Sequence, residues 1–311
     1  ELGLVQFKKM GATSNSEHEL HARREPMEHS RPTTSSRNGF VESHGSAVQI
    51  LTTAEIAIKL GLPIYGIVGH SSTACDGYGK SVPAPGKGIY RSFCAQDLKP
   101  DTRTIAAESV NEVNTIGYPQ FKHVMYNSLL ESKIPNSLQR GLAYFGLTGS
   151  HIDAISFHGT STKGNDKNES EINNSILEDF KSIEDMHASK PVPVVCQKYL
   201  TGHTKGASFG FMLNGALQMM RDNLVPGNRN ADNIDSEFIN YANLYYPDSN
   251  HEQFVNSVLL HSFGFGQANC QVLAIHPVHL LKTLDASTLE EYMKKVDQRN
   301  HKHFRLFQDS L

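Results

Sequence analysis

The chain has 311 residues, 38% of them hydrophobic, enough apolar material to bury the core of one large or two modest domains. With 29 Lys and Arg against 32 Asp and Glu, the formal charge is -3, and there is no basic surplus to attract nucleic acid or an anionic membrane. The sequence shows neither a run of 18 apolar residues nor a basic, apolar, small-residue leader, so neither a membrane span nor a secretory signal is expected. Cys75, Cys94, Cys196 and Cys270 lie far apart with no CxxC pair, a pattern that suits free thiols in a reducing cytosol. The 16 histidines show no zinc-finger or HExxH spacing. The first residue is Glu1 rather than methionine, and the expectation is a piece of something longer.

In chain order, residues 1–10 suit a short helix or strand, and 14–46 are polar around SRPTTSSRNGF. Pro32, the Ser/Thr cluster and the Asn38-Gly39 pair favour turns. Two readings of this loop stand side by side: an exposed connection, or a loop that Arg31 and Arg37 pin to the domain through carboxylates or backbone carbonyls. From Ala47 to Leu60 the apolar positions recur densely enough to predict a helix, closed by Gly61. PIYGIV, from Pro63 to Val68, reads as a buried strand. GHSSTACDGYGKSVPAPGKGIY, 69–90, is too rich in Gly and Pro for regular structure and lacks GxxxxGKS/T and GxGxxG. Asn114 to Phe145 is mixed, ending in a helix from Leu138 to Phe145.

His151 to Phe157 is predicted as a strand, Asp166 to Phe180 as an amphipathic helix, Lys181 to Lys190 as a polar turn and Pro191 to Val195 as the next strand. Gly206 to Met220 reads as a buried helix whose small residues allow close packing, with Met212, Met219 and Met220 as core. Pro226 to Asn230 breaks the pattern, and Phe238 to Pro247 carries three tyrosines suited to an edge. Val258 to Phe263 and Cys270 to Ile275 form a hairpin across GFGQAN. A charged helical tail follows from Ser287.

The two central strands share a plan. HIDAISFHGTSTKGNDKNE and PVPVVCQKYLTGHTKGASFG are each an apolar run that ends in glycine and one histidine and then passes into a helix, which places His158 and His203 at strand ends, where open α/β sheets bind ligands. A neutral imidazole is a good donor to a developing oxyanion, and two aimed at one oxygen would stabilise the charge left when a carboxylate departs beside a thioester. Lys198 and Glu169 are placed to hold His158 in register. On residue pattern alone, two further readings stay open: isolated surface histidines, or metal ligation.

HGTSTKGND with Glu169, then QKYLTGHTKGASFG, then SFGFGQAN resemble, in order, three motifs of the β-ketoacyl synthases, condensing enzymes of the thiolase-like superfamily. SRPTTSSRNGF with the later Gly45 resembles the family's Arg-Pro segment. SVPAPGKGI, PGNRNADNID and SFGFGQ bring the resemblance closest to the ketosynthase domain in the alpha subunit of fungal-type fatty acid synthases.

The resemblance implies an α/β, thiolase-like layered α/β/α/β/α fold, here incomplete. Residues 1–150 would be the tail of the N-terminal half with connecting loops, 151–286 the C-terminal half with the histidine loops, and 287–311 the charged tail. The implied reaction is decarboxylative Claisen condensation of an enzyme-bound acyl group with malonyl-acyl carrier protein. In it His158 and His203 bind the malonyl thioester oxygen and Lys198 and Glu169 form a supporting ion pair. Thr160 and Thr162 lie beside the pantetheine arm, and Phe265, with Phe263 before it, is the gating aromatic, its backbone N–H serving as an oxyanion donor. No cofactor or metal is implied for this segment; the substrates ride on the 4′-phosphopantetheine of an acyl carrier protein.

The implied partners are that carrier protein domain, the missing cysteine-bearing half of the ketosynthase, and a ketosynthase homodimer within a large alpha/beta assembly, with no nucleic acid or membrane partner and a cytoplasmic location. None of the four cysteines matches the family's nucleophile, which lies upstream of the Arg-Pro segment. The isolated segment is therefore expected to be inactive. A long helical insertion and a phosphopantetheine transferase domain of the fungal branch are also not found. The alternatives kept beside this are a nucleophile-lacking malonyl decarboxylase and a structural half-domain of the larger assembly.

Overall fold

The structure is a computed structural model that describes residues 2–79, 86–94, 136–184 and 190–308. Aliphatic runs only four to nine residues long, cut by glycine and polar residues, are too short for helices and form strands instead. In chain order the strands are β1 (Ile67–Cys75), β2 (Ile152–Ser156), β3 (Val192–Val195), β4 (Leu224–Val225), β5 (Leu244–Tyr245), β6 (His251–Glu252), β7 (Ser257–Phe263) and β8 (Ala268–Ile275). Six of them build one sheet in the order β1-β8-β7-β2-β3-β5, and β4 pairs with β6 separately. β7, β2, β3 and β5 run parallel, whereas β1 and β7 flank β8 antiparallel.

The α-helices are α1 (Leu2–Lys9), α2 (Ser16–His21), α3 (Ala54–Leu60), α4 (Lys87–Cys94), α5 (Ser137–Ala143), α6 (Lys163–Glu184), α7 (Lys198–Thr201), α8 (Ser208–Asp222), α9 (Val278–Leu281) and α10 (Ala286–Gln308). They cover both faces of the sheet. Ile172, Ile176 and Phe180 of α6, with Ile89 and Leu142 of α4 and α5, pack on Ile155, Leu259 and Leu273. On the other face, Met212, Ala216 and Met220 of α8 pack on Ala154, Val258 and Leu260. Ala154 and Ile155 thus point to opposite layers, which is why β2 shows no polar alternation: a parallel strand covered on both faces is apolar throughout.

Most expected elements form: the strands at 152–156 and 192–195, the long helix after each, the terminal hairpin and the charged tail. Four expectations need correction. The Ala47 to Leu60 helix is confined to Ala54–Leu60, with Thr53 as its N-cap, its Oγ1 accepting the Ile56 N–H at 3.3 Å. Ahead of the cap, Val48, Ile50 and Leu51 form no regular element and are 89%, 90% and 74% exposed. The strand expected at Pro63 to Val68 begins only at Ile67, and Tyr65 and Val68 are exposed. It then continues to Cys75, through residues whose Gly and Ser content reads as loop, since β8 pairs with it antiparallel from Ile275 to Ala268, with one register shift between Val68 and His70.

The polar turn expected from Lys181 is helical to Glu184. Residues 114–135 of the mixed region, 80–85 of the Gly/Pro stretch and 185–189 lie outside the described residues.

The Arg-rich loop is pinned down rather than exposed. Arg37 is buried and holds Asp235 at 2.7 Å, Glu237 and the Thr34 carbonyl, while Arg31 pairs with Asp232. The tail helix α10 clasps α3, with Lys295 Nζ and Arg299 Nε donating to the carbonyls of Lys59 and Leu60 at the helix C-terminus. Among the described residues no helix is long and apolar enough to cross a membrane.

Candidate functional site

β2 and β3 end side by side, with Ile155 opposite Val194 and Ser156 opposite Val195. The loops that leave them therefore start within one strand spacing of each other. The first runs Phe157-His158-Gly159-Thr160. Gly159 has φ +47°, and a Cβ there would lie 3.0 Å from the Cβ and Sγ of Cys196, so glycine is what lets this loop turn tightly over the neighbouring strand end. The second passes through the single turn α7 to Gly202, φ +64°, where a Cβ would meet Ser43, and then to His203. His203 is held in an extended pairing with the segment after the Arg loop: its N–H donates to the Val41 carbonyl at 2.7 Å, and its carbonyl accepts from Ser43 N–H at 3.3 Å.

These turns bring His158 and His203 together, with ring centroids 5.0 Å apart and planes at 85°. They are only 6% and 9% exposed. Burial, reinforced by the charges of Lys198 and Lys205, pushes His158 well below the ordinary imidazole range and His203 down to about 3. Both rings are neutral at physiological pH. The neighbours also settle the tautomers. His203 Nδ1 accepts the Lys205 backbone N–H at 3.3 Å, and His158 Nδ1 faces the Lys198 ammonium and the Ser262 hydroxyl, each at 3.4 Å. With Nδ1 an acceptor in both rings, the proton sits on Nε2 in both.

Glu169, on α6, grips the His158 loop from below. Its carboxylate accepts the N–H of His158, the N–H of Gly159 at 2.7 Å and the Asn165 side-chain amide at 2.9 Å. Lys198 grips from the opposite side, donating to the His158 carbonyl. Among the described residues these two make no direct ion pair, which corrects the expected contact: they act on each other through space and on His158 by hydrogen bond. Burial draws the Glu169 carboxyl up and the Lys198 ammonium down, each opposed in part by the other's charge.

Three comparisons bear on this arrangement. Residues 120–232 match the family described as β-ketoacyl synthase, C-terminal domain. The alpha subunit of fatty acid synthase from Candida albicans is 38% identical across the whole chain, and that from Saccharomyces cerevisiae is 35% identical. The chain belongs to the β-ketoacyl synthase family. This ketosynthase chain spans about a fifth of the length of those relatives, 19% in each case. The Candida alignment runs over 369 positions against 311 residues here, so the relative carries additional residues within the matched region. Among solved structures, the noncanonical ketosynthase FabY from P. aeruginosa superposes with a TM-score of 0.63 at 20% identity, over 95% of this chain and 40% of that one. A type II polyketide acyl-carrier protein in complex with its ketosynthase gives 0.55 at 19% identity, over 88% and 52%. These share the ketosynthase fold.

Around the histidines, the ketosynthase loop places Thr160 and Thr162 hydroxyls 3.0 Å apart. The Phe263 ring is buried and edge-on to His158 at 6.5 Å. Phe265 is separate from it, 41% exposed and 4.9 Å from the Phe7 ring of α1. Among the described residues none of the four thiols is hydrogen-bonded to either imidazole. Cys196 directly follows β3 and is fully buried, its thiol pushed well up by burial and by the nearby Asp166 and Glu169 carboxylates, and Cys75, Cys94 and Cys270 belong to β1, α4 and β8.

Sequence reasoning quoted Asp166 without giving it a role. It is buried and accepts the Thr160 N–H at 3.1 Å and the Thr33 N–H at 2.9 Å, with Arg37 at 3.9 Å, so it ties the histidine loop to the Arg loop. Burial pushes its carboxyl up to about 6. Its spacing of three from Glu169, on one helix face, was the available signal. Asn228, within PGNRNADNID, accepts the Cys196 N–H and donates to the Val194 carbonyl, both at 2.8 Å, and so fixes the end of β3.

Proposed function

We propose that this chain is part of the ketosynthase of a fatty acid synthase alpha subunit and binds and decarboxylates the malonyl thioester in a decarboxylative Claisen condensation. The observation that carries this reading is the pair of neutral imidazoles, 5.0 Å apart, each with its proton on Nε2. A thioester oxygen between the two accepts both hydrogen bonds. As the bond from C2 to the carboxylate breaks, carbon dioxide leaves and its electron pair moves into an enolate whose oxygen charge the two donors hold. The enolate carbon then attacks the acyl thioester carbonyl, the new carbon–carbon bond forms and the acyl-bearing thiolate departs.

The chain's own residues have distinct tasks. Lys198 and Glu169 fix His158 through its main chain, Thr160 and Thr162 line the approach of the 4′-phosphopantetheine arm, and Phe263 backs the histidines. Phe265 is the gating aromatic at the rim, and its backbone N–H is an oxyanion donor for the acyl carbonyl. The acyl-bearing cysteine comes from another part of the synthase. The division is 1–150 as the tail of the nucleophile-bearing half, 151–286 as the histidine half and 287–311 as the charged tail. The partners are the acyl carrier protein domain and a second ketosynthase in a cytoplasmic alpha/beta assembly.

In the full-length synthase, exchange of His158 or His203 for Ala lowers carbon dioxide release from malonyl-acyl carrier protein by about 10²–10³-fold. A labelled acyl thioester still modifies a cysteine of the assembly. Unchanged carbon dioxide release in both variants, or no modified cysteine anywhere, overturns the reading.

A further inference from the structure

Lys205 follows His203 by two residues and carries a backbone conformation that asks for an explanation. Its φ is 54°, in the left-handed region, where a residue with a Cβ is strained relative to the usual conformations. Glycine would occupy this position without strain, as Gly202 does nearby. The twist has two results. It turns the Lys205 N–H onto His203 Nδ1, and it lays the side chain back over the segment that pairs with His203.

There the ammonium stands 4.0 Å from the centroid of the Phe40 ring and 4.4 Å from that of Phe7, with Glu42 at 2.7 Å. Each contact leads back to His203. Phe40 meets the His203 ring edge-on at 5.1 Å, and Glu42 is its backbone bridge partner. Phe7 passes the contact on to Phe40 at 5.6 Å and to Phe265 at 4.9 Å. A cation held between two aromatic faces is attracted by both quadrupoles, the more strongly as it loses water. Neither the Arg loop nor the Glu169 and Lys198 clasp on His158 supplies such a tie to the second histidine.

We propose that Lys205 is a positioning residue for His203: its ammonium, clamped between Phe7 and Phe40, holds the imidazole in line with that of His158 and adds positive charge to the field at the thioester oxygen. The inference rests on the decarboxylating role assigned to the two histidines. The charged and titratable groups facing His203 are His158 and Lys198 from the neighbouring loops, Glu42 from the paired segment and Lys205 itself. Lys198 and Lys205 both oppose protonation of the ring.

The test is malonyl decarboxylation by the full-length synthase carrying Lys205→Met, Lys205→Arg or His203→Ala. Methionine keeps an apolar stem between the rings and removes the charge. The expected result for it is a kcat lowered about tenfold, KM changed less than twofold, and the acid limb of the pH profile moved up by about half a pH unit or more. Arginine, which keeps the charge and stacks on aromatic faces, restores at least half of the loss. If Lys205→Met matches the wild type in rate and pH profile while His203→Ala is impaired, the proposal is overturned and the histidine assignment stands. Equal impairment of the Met and Arg variants, with an unshifted profile, overturns it as well, since shape rather than charge would then matter. If His203→Ala itself releases carbon dioxide at the wild-type rate, the underlying assignment fails, and this proposal with it.

Discussion

The sharpest test of the site's construction is a double-substitution cycle on Glu169 and Lys198. Both side chains are buried, and they meet the His158 main chain from opposite sides, the carboxylate on its N–H and the ammonium on its carbonyl. Glu169→Gln keeps one acceptor oxygen but sets an amide NH₂ against a second backbone donor and strands the Lys198 charge. Leaving a buried donor unsatisfied costs about 1–3 kcal/mol, and leaving the buried Lys198 charge without the opposing carboxylate brings the total to about 3 kcal/mol. Lys198→Met strands Glu169 in turn, at a comparable cost of about 3 kcal/mol. Because each single change leaves the other charge uncompensated, the double variant should be less destabilised than the sum by about 1–3 kcal/mol. Urea unfolding of the four proteins at neutral pH measures this. Additivity within about 0.5 kcal/mol would refute the reasoning that the two charges act as one unit through His158.

Gly159→Ala forces a Cβ against Cys196 at positive φ and should cost about 2–4 kcal/mol; adding Cys196→Ala recovers only the share owed to Sγ, as urea midpoints would show. Arg37→Lys replaces a fork that serves Asp235, Glu237 and the Thr34 carbonyl with one ammonium. It should lose about 2–3 kcal/mol and speed amide exchange at Thr34 and Arg37, and an unchanged exchange rate would contradict the pinning. His203 and His261 have folded pKa values of about 3, below the ordinary 6.5, so the unfolded chain binds more protons as pH falls through 6.5. Stability is complete above that value and falls by roughly 2 kcal/mol per buried imidazole by pH 5. His261→Leu should remove one such share from the difference in urea midpoint between pH 7 and pH 5; a difference equal to the wild type's would show that His261 is not buried neutral.

Much of this was legible in the residues because both histidines sit at the end of an apolar run followed by glycine, and a strand end is a local signal. That Glu169 and Lys198 hold His158 was expected from the residues; that they do so through its main chain was not. Lys198 reaches His158 only because α7 is a single turn beside β2, a matter of sheet register rather than of spacing along the chain. Lys205 left no trace at all, since a left-handed lysine resembles any other lysine in sequence. The misread elements have a common cause. Ser71 and Ser72 look like loop until β8 pairs with them, and Val48, Ile50 and Leu51 look helical by density although they form no helix and lie uncovered. Local composition reports propensity, and the partner strand decides.

Because a donor occupies Nδ1 of each imidazole, neither ring has a free lone pair to take a proton, and each can only lend the one it carries. A pair of this kind stabilises charge without acting as a base. In the proposed reaction the barrier to losing carbon dioxide would then lie in stretching a bond between carbons, and replacing the solvent by heavy water would leave that barrier almost untouched. Chemistry confined to heavy atoms needs no relay of water or side chains leading out to bulk solvent, so the site can be closed over its substrate at the moment of reaction without starving it of protons.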